Sequence, residues 1–236
     1  MSLFTNSQEI MGHASSVLGF NAMQVEQQSI EWEMMRLGVI TCSRAKDILS
    51  GRTSRGYRGY VYELCTEIST KAPSRSKVFR AKPLEHGNEF EPQARGLFSG
   101  LTGKKVDEVG FLYKDESMRV GLSPDGVIYE EDTGLELKCP WGPENHWEFI
   151  DTGLIPAADS DKWKKQVQMS MWVTGCDNWY FATFEPEMTR KGLMHGLFDR
   201  DEKMMKQFDE RIPQLIEDID SLLSRAGYKF GDQWKN

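Results

Sequence analysis

The pattern of apolar and polar positions changes character along the chain. Apolar residues at helical spacing predict helices, over 29–38, 41–51, 60–70, 84–100 and 160–175. Short apolar runs separated by turn residues predict strands, within 104–140 and over 178–186 and 193–199. A last helix is predicted over 200–227. Helices therefore come first, a small mixed sheet with one crossing helix follows, and a helix closes the chain.

This order of elements is typical of an α/β (α+β) domain in which helices flank a central mixed sheet. We expect the domain to span 26–236, with a mainly helical part over 26–100, a sheet with a crossing helix over 104–200, and a C-terminal helix over 201–236. Residues 1–25 show no clear period and are expected to form an arm. The Gly- and Arg-rich stretch 51–59 is expected to be a loop. We expect Pro92 in a first turn or at a kink, and Pro213 at an interruption of the last helix.

The composition excludes several classes of protein. The chain is 39% hydrophobic and 28% charged, as in ordinary globular proteins. It lacks the run of roughly 18 apolar residues that a membrane span requires, and its start does not resemble a secretory signal. The four cysteines and four histidines are scattered, without the spacing of a zinc or redox site. We therefore expect free thiols, no zinc chemistry, no membrane association and a reducing cytoplasm.

Charge is distributed unevenly along the chain. The formal net charge is −7, yet the stretch 44–82 has ten Lys and Arg residues against three acids. A basic sector on an acidic body suits a polyanion that is bound on one side. The alternative is a set of solvated loop charges, and charge patterning alone does not decide between the two.

A candidate chemical site lies in the hairpin predicted over 123–140, which reads SPDGVIYEEDTGLELKCP. Side chains two residues apart in a strand point to the same face, so Glu136 and Lys138 lie side by side while Leu137 points into the core. Asp125 opens the preceding strand, and the turn folds it back toward Glu136. One aspartate, one glutamate and one lysine are therefore expected to meet at a strand end.

This combination of side chains suits a hard metal ion. Carboxylate oxygens, joined by the carbonyl oxygen of Leu137, are the ligands that Mg²⁺ or Mn²⁺ prefers. Such an ion can assist phosphodiester hydrolysis, and Lys138 could orient or deprotonate the attacking water or neutralise charge in the transition state. The alternative is an exposed Glu–Lys pair, which contributes little. Against that alternative, the pair interrupts an otherwise apolar strand, where a buried charge pair is costly.

A succession of short motifs extends this pattern from about residue 26 to the C-terminus. They are RLGVITCS (36–43), GNEFE (87–91), SPDG (123–126), LELKCP (135–140), QVQMSMWVT (166–174), WYFATFEPEM (179–188), RDEKMMKQFDE (200–210) and YKFGDQW (228–234). In this order they resemble the bacteriophage lambda exonuclease family of the PD-(D/E)XK nuclease superfamily. Each motif alone is weak, but their succession is specific.

The resemblance implies a restriction-endonuclease-like core and a processive, Mg²⁺-dependent exonuclease. Such an enzyme degrades one strand of double-stranded DNA from a 5′-phosphorylated end, releases 5′-mononucleotides and leaves a 3′ overhang for recombination by strand annealing. It would use two Mg²⁺ ions, for which Mn²⁺ can substitute. It would form a homotrimeric ring in the cytoplasm of a bacterial host and cooperate with a single-strand annealing protein.

The resemblance also assigns catalytic roles. Asp125 and Glu136 match the metal-binding carboxylates, and Lys138 matches the catalytic lysine. Glu91 matches a helical glutamate that helps to hold the second metal ion, although the proline after it constrains its backbone. Gln168 matches a glutamine that follows the active strands.

Further matches concern the DNA end. Four residues match the family's pocket for the 5′-phosphate, namely Arg36, Ser43, Ser123 and Gln168. Leu84 matches an apolar wedge that splits the last base pair. A helix N-terminus near Ser43, joined by Arg36, would attract an anion on physical grounds as well. Simpler roles stay open: Arg36 could pair with Glu33, Gln168 could be an exposed helix position, and Leu84 could be a hydrophobic staple.

Two other functions share these features. A structure-specific or restriction-type endonuclease could use the same carboxylates and lysine, whereas a terminal-phosphate pocket at Arg36 and Ser43 favours an enzyme that starts at an end. A non-catalytic DNA-end-binding recombination protein would not need Asp125, Glu136 and Lys138 to be intact.

Overall fold

The computed structural model describes residues 3–74 and 81–235, and the side chains of residues 3–6, 81–85, 88 and 158–160 lie outside that description. Its helices are α1 (Leu3–Leu18), α2 (Ile30–Arg36), α3 (Ala45–Ile48), α4 (Arg55–Thr70), α5 (Ala81–Thr102), α6 (Glu144–Thr152), α7 (Ala158–Thr174) and α8 (Glu202–Arg225). Its strands are β1 (Ile40–Thr41), β2 (Leu112–Tyr113), β3 (Val120–Leu122), β4 (Gly126–Ile128), β5 (Thr133–Lys138), β6 (Asn178–Phe184) and β7 (Leu193–Asp199). This mixture of helices and strands confirms the predicted fold class.

The strands form two small sheets. In the larger sheet the order is β4-β5-β6-β7, in which β5 and β6 run parallel and both outer pairs are antiparallel. In the smaller sheet β3 lies between β1, which is parallel to it, and β2, which is antiparallel to it. Because parallel strands cannot be joined by a tight turn, the chain crosses from β5 to β6 through α6 and α7. This crossover brings α7 against the larger sheet.

Apolar side chains cover both faces of the larger sheet. On one face, Ala94 of α5 packs in a cluster with Leu135 and Leu137 of β5. On the other face, Val167 of α7 and Phe181 of β6 belong to the main core. Strand β5 therefore lies between α5 and α7, and the residue that alternates with its two leucines, Glu136, faces α7. Within the described residues, no helix is long and apolar enough to cross a membrane.

The N-terminal residues form helix α1 instead of the expected arm. Met11 and Ala14 of this helix are buried in the main core. The Ser15 hydroxyl accepts a 2.9 Å hydrogen bond from the backbone N–H of Ala22. The sequence contains a signal for this helix that the interpretation missed, because apolar residues recur at helical spacing at Ile10, Met11, Ala14, Val17 and Leu18.

Helix α4 begins inside the Gly- and Arg-rich stretch that the sequence predicts as a loop. The Ser54 hydroxyl caps this helix by accepting a 3.2 Å hydrogen bond from the N–H of Tyr57. Tyr57 and Tyr60 are both buried, and the Tyr60 hydroxyl accepts a 2.9 Å hydrogen bond from the N–H of Thr41. Capping and burial together outweigh the low helix propensity of the glycines.

Pro213 does not interrupt the C-terminal helix as the sequence predicts. Helix α8 continues through it, although a proline removes one backbone hydrogen bond from a helix. Ile212 and Leu215, on either side of Pro213, are buried in the main core and hold both halves of α8 in place. Pro92 likewise lies well inside α5 rather than in its first turn, so Glu91 remains a helical residue.

The close approach of β5 to β6 at Gly134 gives a stability prediction. A Cβ atom at Gly134 would lie 2.1 Å from the ring of Trp179, which is fully buried. We expect Gly134→Ala to lower the free energy of unfolding by about 1–3 kcal/mol, because the ring cannot move away inside a packed core. Urea denaturation would measure the change.

Gly96→Ala is the matched control for that measurement. Gly96 is exposed in the middle of α5, and a Cβ there would meet no atom within 4 Å. Alanine at this position should leave stability unchanged or raise it by up to about 1 kcal/mol. Equal losses in the two variants would contradict the tight packing at Gly134.

Candidate active site

Glu136 and Lys138 lie side by side at the C-terminal end of β5. Glu136 is only 1% exposed, and the Lys138 ammonium forms an ion pair with its Oε1 atom. The side-chain amide of Gln166 on α7 donates a hydrogen bond to the same oxygen. The carboxylate of Glu136 is therefore held between a lysine on its own strand and a glutamine on the crossing helix.

Asp125 lies directly before β4 and is tied to both neighbouring elements. Its Oδ2 atom accepts a 2.6 Å hydrogen bond from the backbone N–H of Leu137 on β5. Its backbone carbonyl accepts a 2.7 Å hydrogen bond from Nε of Arg95 on α5. The hairpin thus brings the Asp125 carboxylate to the strand that carries Glu136 and Lys138.

Glu91 joins this site from α5 through Arg95, which is itself nearly buried. One branch of the Arg95 guanidinium donates to Glu91 at 2.6 Å, and another lies 2.7 Å from a carboxylate oxygen of Glu108. A single arginine therefore connects Glu91, the Asp125 backbone and Glu108. The fixed fork of donors in a guanidinium suits such multiple contacts. The sequence interpretation did not include Arg95, although its spacing of four residues from Glu91 on a helix indicates the pair.

The carboxylates of Glu91, Asp125 and Glu136, called the acidic group below, share an environment that disfavours their charged form. Burial raises the pKa of Glu136 to about 8, with repulsion from Asp125 in the same direction and Lys138 acting against both. Burial also raises the pKa of Glu91 to about 7, with a further contribution from the charge of Asp125. The pKa of Asp125 is raised by burial as well, and Lys138 opposes the shift. The two nearby cations therefore do not fully offset the burial and mutual repulsion of the acidic group.

The donor chemistry of the acidic group fits a hard divalent cation such as Mg²⁺ or Mn²⁺, which prefers carboxylate and carbonyl oxygens. A cation there would also relieve the repulsion that raises these pKa values. In the described parts of the chain, no three His, Cys, Asp or Glu side chains point at one common position. The acidic group is instead turned toward protein donors, namely Lys138, Gln166, Arg95 and the N–H of Leu137.

Gln168 makes no hydrogen bond to the acidic group within the described residues, and the role that the resemblance implies for it stays a prediction. Its amide nitrogen donates a 2.9 Å hydrogen bond to the carbonyl of Asp199, and its amide oxygen accepts one of 2.8 Å from the N–H of Asp201. Gln168 thus links the end of β7 to the start of α8. Residues two apart on a helix point in nearly opposite directions, so Gln166 is the glutamine that reaches Glu136.

The sequence pattern does not choose between the two glutamines of the motif QVQ. The apolar stripe of this helix is centred on Val167, between Trp163 and Met171, and Gln166 and Gln168 lie about 100° to either side of it. A polar residue at the border of a buried stripe usually has a partner, and both glutamines have one. Only the structure shows that Gln166 is the one that reaches Glu136.

The residues assigned to a phosphate pocket are partly connected. The Arg36 guanidinium stacks on the ring of Trp32, 3.9 Å from its centroid, and the Trp32 indole N–H donates a 2.8 Å hydrogen bond to the hydroxyl of Ser123. Burial lowers the pKa of Arg36, and no ion pair between Arg36 and Glu33 forms in the described structure. Trp32 therefore contacts both Arg36 and Ser123, and within the described residues no carboxylate forms an ion pair with Arg36.

Ser43 lies in the one-turn 3-10 helix Cys42–Arg44, which leads directly into the short helix α3. It is exposed, and its hydroxyl lies 3.4 Å from that of Thr41. Thr41 makes no side-chain capping bond. The expected role of Ser43 in phosphate binding stays a prediction. The side chain of Leu84, the expected wedge, lies outside the described residues, although its backbone belongs to α5.

The chain is similar to several known proteins. Residues 31–177 match the model of the YqaJ-like viral recombinase domain. An uncharacterized Escherichia coli (strain K12) protein named ExoD is 50% identical over 70 residues, which are 30% of this chain and 80% of that protein. An alkaline exonuclease (LHK-Exo) from Laribacter hongkongensis superposes with a TM-score of 0.70 at 25% identity, covering 84% of this chain and 98% of that one. The same exonuclease has also been crystallised in complex with dAMP.

A second solved structure shares the fold. It is a phage-related exonuclease from Haemophilus somnus 129PT, with a TM-score of 0.62 and 18% identity over 80% of this chain and 96% of that one.

The separate positions of the two glutamines predict separate effects on stability. Gln168→Leu should lower the free energy of unfolding by about 1–3 kcal/mol, because it leaves two backbone groups without partners. Gln166→Leu should cost less, because Glu136 keeps its ion pair with Lys138. Urea denaturation of both variants would compare them. A larger loss in Gln166→Leu than in Gln168→Leu would contradict this assignment.

Proposed function

The chain belongs to the YqaJ-like viral recombinase domain family, and from this premise we propose that it is a metal-dependent nuclease. Its substrate is double-stranded DNA, of which it hydrolyses one strand processively from a 5′-phosphorylated end. It releases 5′-mononucleotides and leaves a 3′ single strand for recombination by annealing. The observation that carries the proposal is the buried acidic group with Lys138 at the end of β5. The similarity to an alkaline exonuclease that binds dAMP, a 5′-mononucleotide, supports it.

Asp125 and Glu136 would hold a first Mg²⁺ ion together with the carbonyl of Leu137, and Glu91 would help to hold a second. Mn²⁺ offers the same hard-ligand chemistry and could substitute. When bound, such ions lower the pKa of a water molecule and stabilise negative charge on a phosphate. Lys138 would give up its contact with Glu136 to the cation, and Arg95 would keep Glu91 and the Asp125 backbone in place.

Lys138 would then act on the reacting groups. Burial tends to lower the pKa of its ammonium, but Glu136 and Asp125 more than reverse this effect, so Lys138 is charged at neutral pH. With a cation held at Glu136, the Lys138 ammonium would be available to orient the attacking water or to stabilise the developing negative charge. Gln166 would keep the Glu136 carboxylate in position through its amide hydrogen bond.

Arg36, Ser43 and Ser123 would bind the terminal 5′-phosphate. Arg36 is half-buried and, within the described residues, forms no ion pair with a carboxylate, which favours a bound anion. Phosphate can accept the hydrogen bonds of a guanidinium in pairs. Trp32 holds both Arg36 and Ser123 and so would fix the pocket. Both ends of the Gln168 amide are bonded to the backbone of Asp199 and Asp201 in this structure, so its place in this pocket rests on the resemblance alone.

Other parts of the proposal follow from the family resemblance alone. They are the homotrimeric ring, the wedge role of Leu84, the partnership with a single-strand annealing protein and a location in the cytoplasm of a bacterial host.

Digestion of linear and covalently closed duplex DNA with Mg²⁺ tests the proposed activity. We expect rapid loss of the 5′-phosphorylated strand to mononucleotides and no attack on closed circles. Lys138→Met, which keeps the length of the side chain, should lower the rate by about 10²-fold or more. Circular dichroism would verify that this variant is folded. Cleavage of closed circles would instead indicate an endonuclease, and wild-type binding without metal-dependent cleavage would indicate a non-catalytic end-binding protein.

A second test addresses the phosphate pocket. Arg36→Ala should slow digestion of 5′-phosphorylated ends by about 10- to 150-fold, the equivalent of one charge-assisted hydrogen bond. Digestion of 5′-hydroxyl ends should change little, so the preference for phosphate should disappear. Arg52→Ala removes an equal charge from an exposed ion pair with Asp218 and serves as the control. Equal losses on both kinds of end would contradict a specific role for Arg36.

A further inference from the structure

A row of aromatic side chains borders the acidic group on the α5 side. Trp141 follows Lys138 by three residues and is 64% exposed. The rings of Trp141 and His86 meet edge to face, with centroids 5.4 Å apart and an interplanar angle of 77°. The rings of His86 and Phe90 lie 4.8 Å apart. We call His86, Phe90 and Trp141 the aromatic row.

Both ends of the aromatic row adjoin the acidic group along the chain. Phe90 directly precedes Glu91 on α5, and Trp141 is joined to Lys138 through Cys139 and Pro140. Burial raises the pKa of the Cys139 thiol to about 12, and the charges of Glu91 and Asp125 add to the shift, which places this connection close to both carboxylates. Pro140 is buried, and its ring limits the backbone that leads to Trp141.

The contact with His86 leaves most of the Trp141 indole open to solvent. In an edge-to-face pair, less of the tryptophan ring is covered than in a stacked pair. A large apolar ring in water next to a candidate nuclease site is a surface on which a nucleobase can stack. Such stacking contributes about 1–3 kcal/mol per base and accepts all four bases, because each has a π face.

We propose that Trp141 is the stacking platform for the unpaired base of the terminal nucleotide of the strand that is hydrolysed. This inference rests on the proposed nuclease function. The acidic group would hold the cations at which the phosphodiester on the 3′ side of that nucleotide is hydrolysed, so the base of the nucleotide must lie nearby once it has left the duplex. A platform that tolerates every base suits an enzyme that removes successive nucleotides regardless of sequence.

The experiment uses a 5′-phosphorylated duplex whose terminal base is a mismatched, and therefore unpaired, 2-aminopurine. Binding is followed in Ca²⁺ so that the end stays intact. With the wild-type chain we expect the 2-aminopurine fluorescence to be quenched, because the base stacks. Trp141→Ala should lose this quench and bind about 5- to 150-fold more weakly, and Trp141→Phe should retain part of both effects.

Trp147→Ala provides the matched control. Trp147 is another exposed tryptophan, 56% accessible and located on α6, and it has no ring contact with His86 in the described structure. Its loss should leave both the quench and the affinity unchanged. The proposal would be overturned if Trp141→Ala kept the wild-type quench and affinity, or if both variants lost them equally. Cleavage by the wild-type chain with Mg²⁺, measured separately, distinguishes this failure from a failure of the proposed function.

Discussion

The structure depends on keeping several carboxylates together away from water. Transfer of a charged group into a protein interior is costly unless it is paired and hydrogen-bonded. Glu136 takes a donor from α7, and Asp125 takes one from β5. Glu91 takes its donor from Arg95 on the same helix, α5. The parallel pairing of β5 with β6 requires a helical crossover, and this crossover supplies Gln166. The topology of the larger sheet therefore also determines which donor reaches Glu136 at the end of β5.

Arg95 has a central place in this arrangement because it combines two functions. Its Nε atom binds the backbone carbonyl of Asp125, while its terminal nitrogens reach Glu91 and Glu108. A lysine could supply the charge but not three contacts in one plane. The guanidinium thus fixes the separation between α5 and the start of β4, and with it the separation between Glu91 and Asp125. Positioning and partial charge compensation come from the same side chain.

Local patterns in the sequence predict part of this structure. The period of two in the hairpin predicts Glu136 and Lys138 on one face, and the period of the crossing helix predicts α7 and its end at Gly175, which has the expected positive φ. Such local patterns do not show contacts between residues that are far apart in the sequence. Helix α4 begins among glycines because Tyr57 and Tyr60 become buried, and α8 continues through a proline because its neighbours are held in the core. The contact of Arg95 with a carbonyl thirty residues away has no local signature either.

The balance of charges distinguishes a structural ion pair from a binding site. In an ion pair that serves stability alone, the cation offsets the burial of its carboxylate, and the pKa of the acid falls below its ordinary value. Glu136 does the opposite: it contacts Lys138, yet burial and neighbouring acids raise its pKa to about 8. The pKa of Glu91 is likewise raised, although Glu91 contacts Arg95. The chain places more carboxyl groups here than its own cations can keep ionised, which favours a site that binds further positive charge.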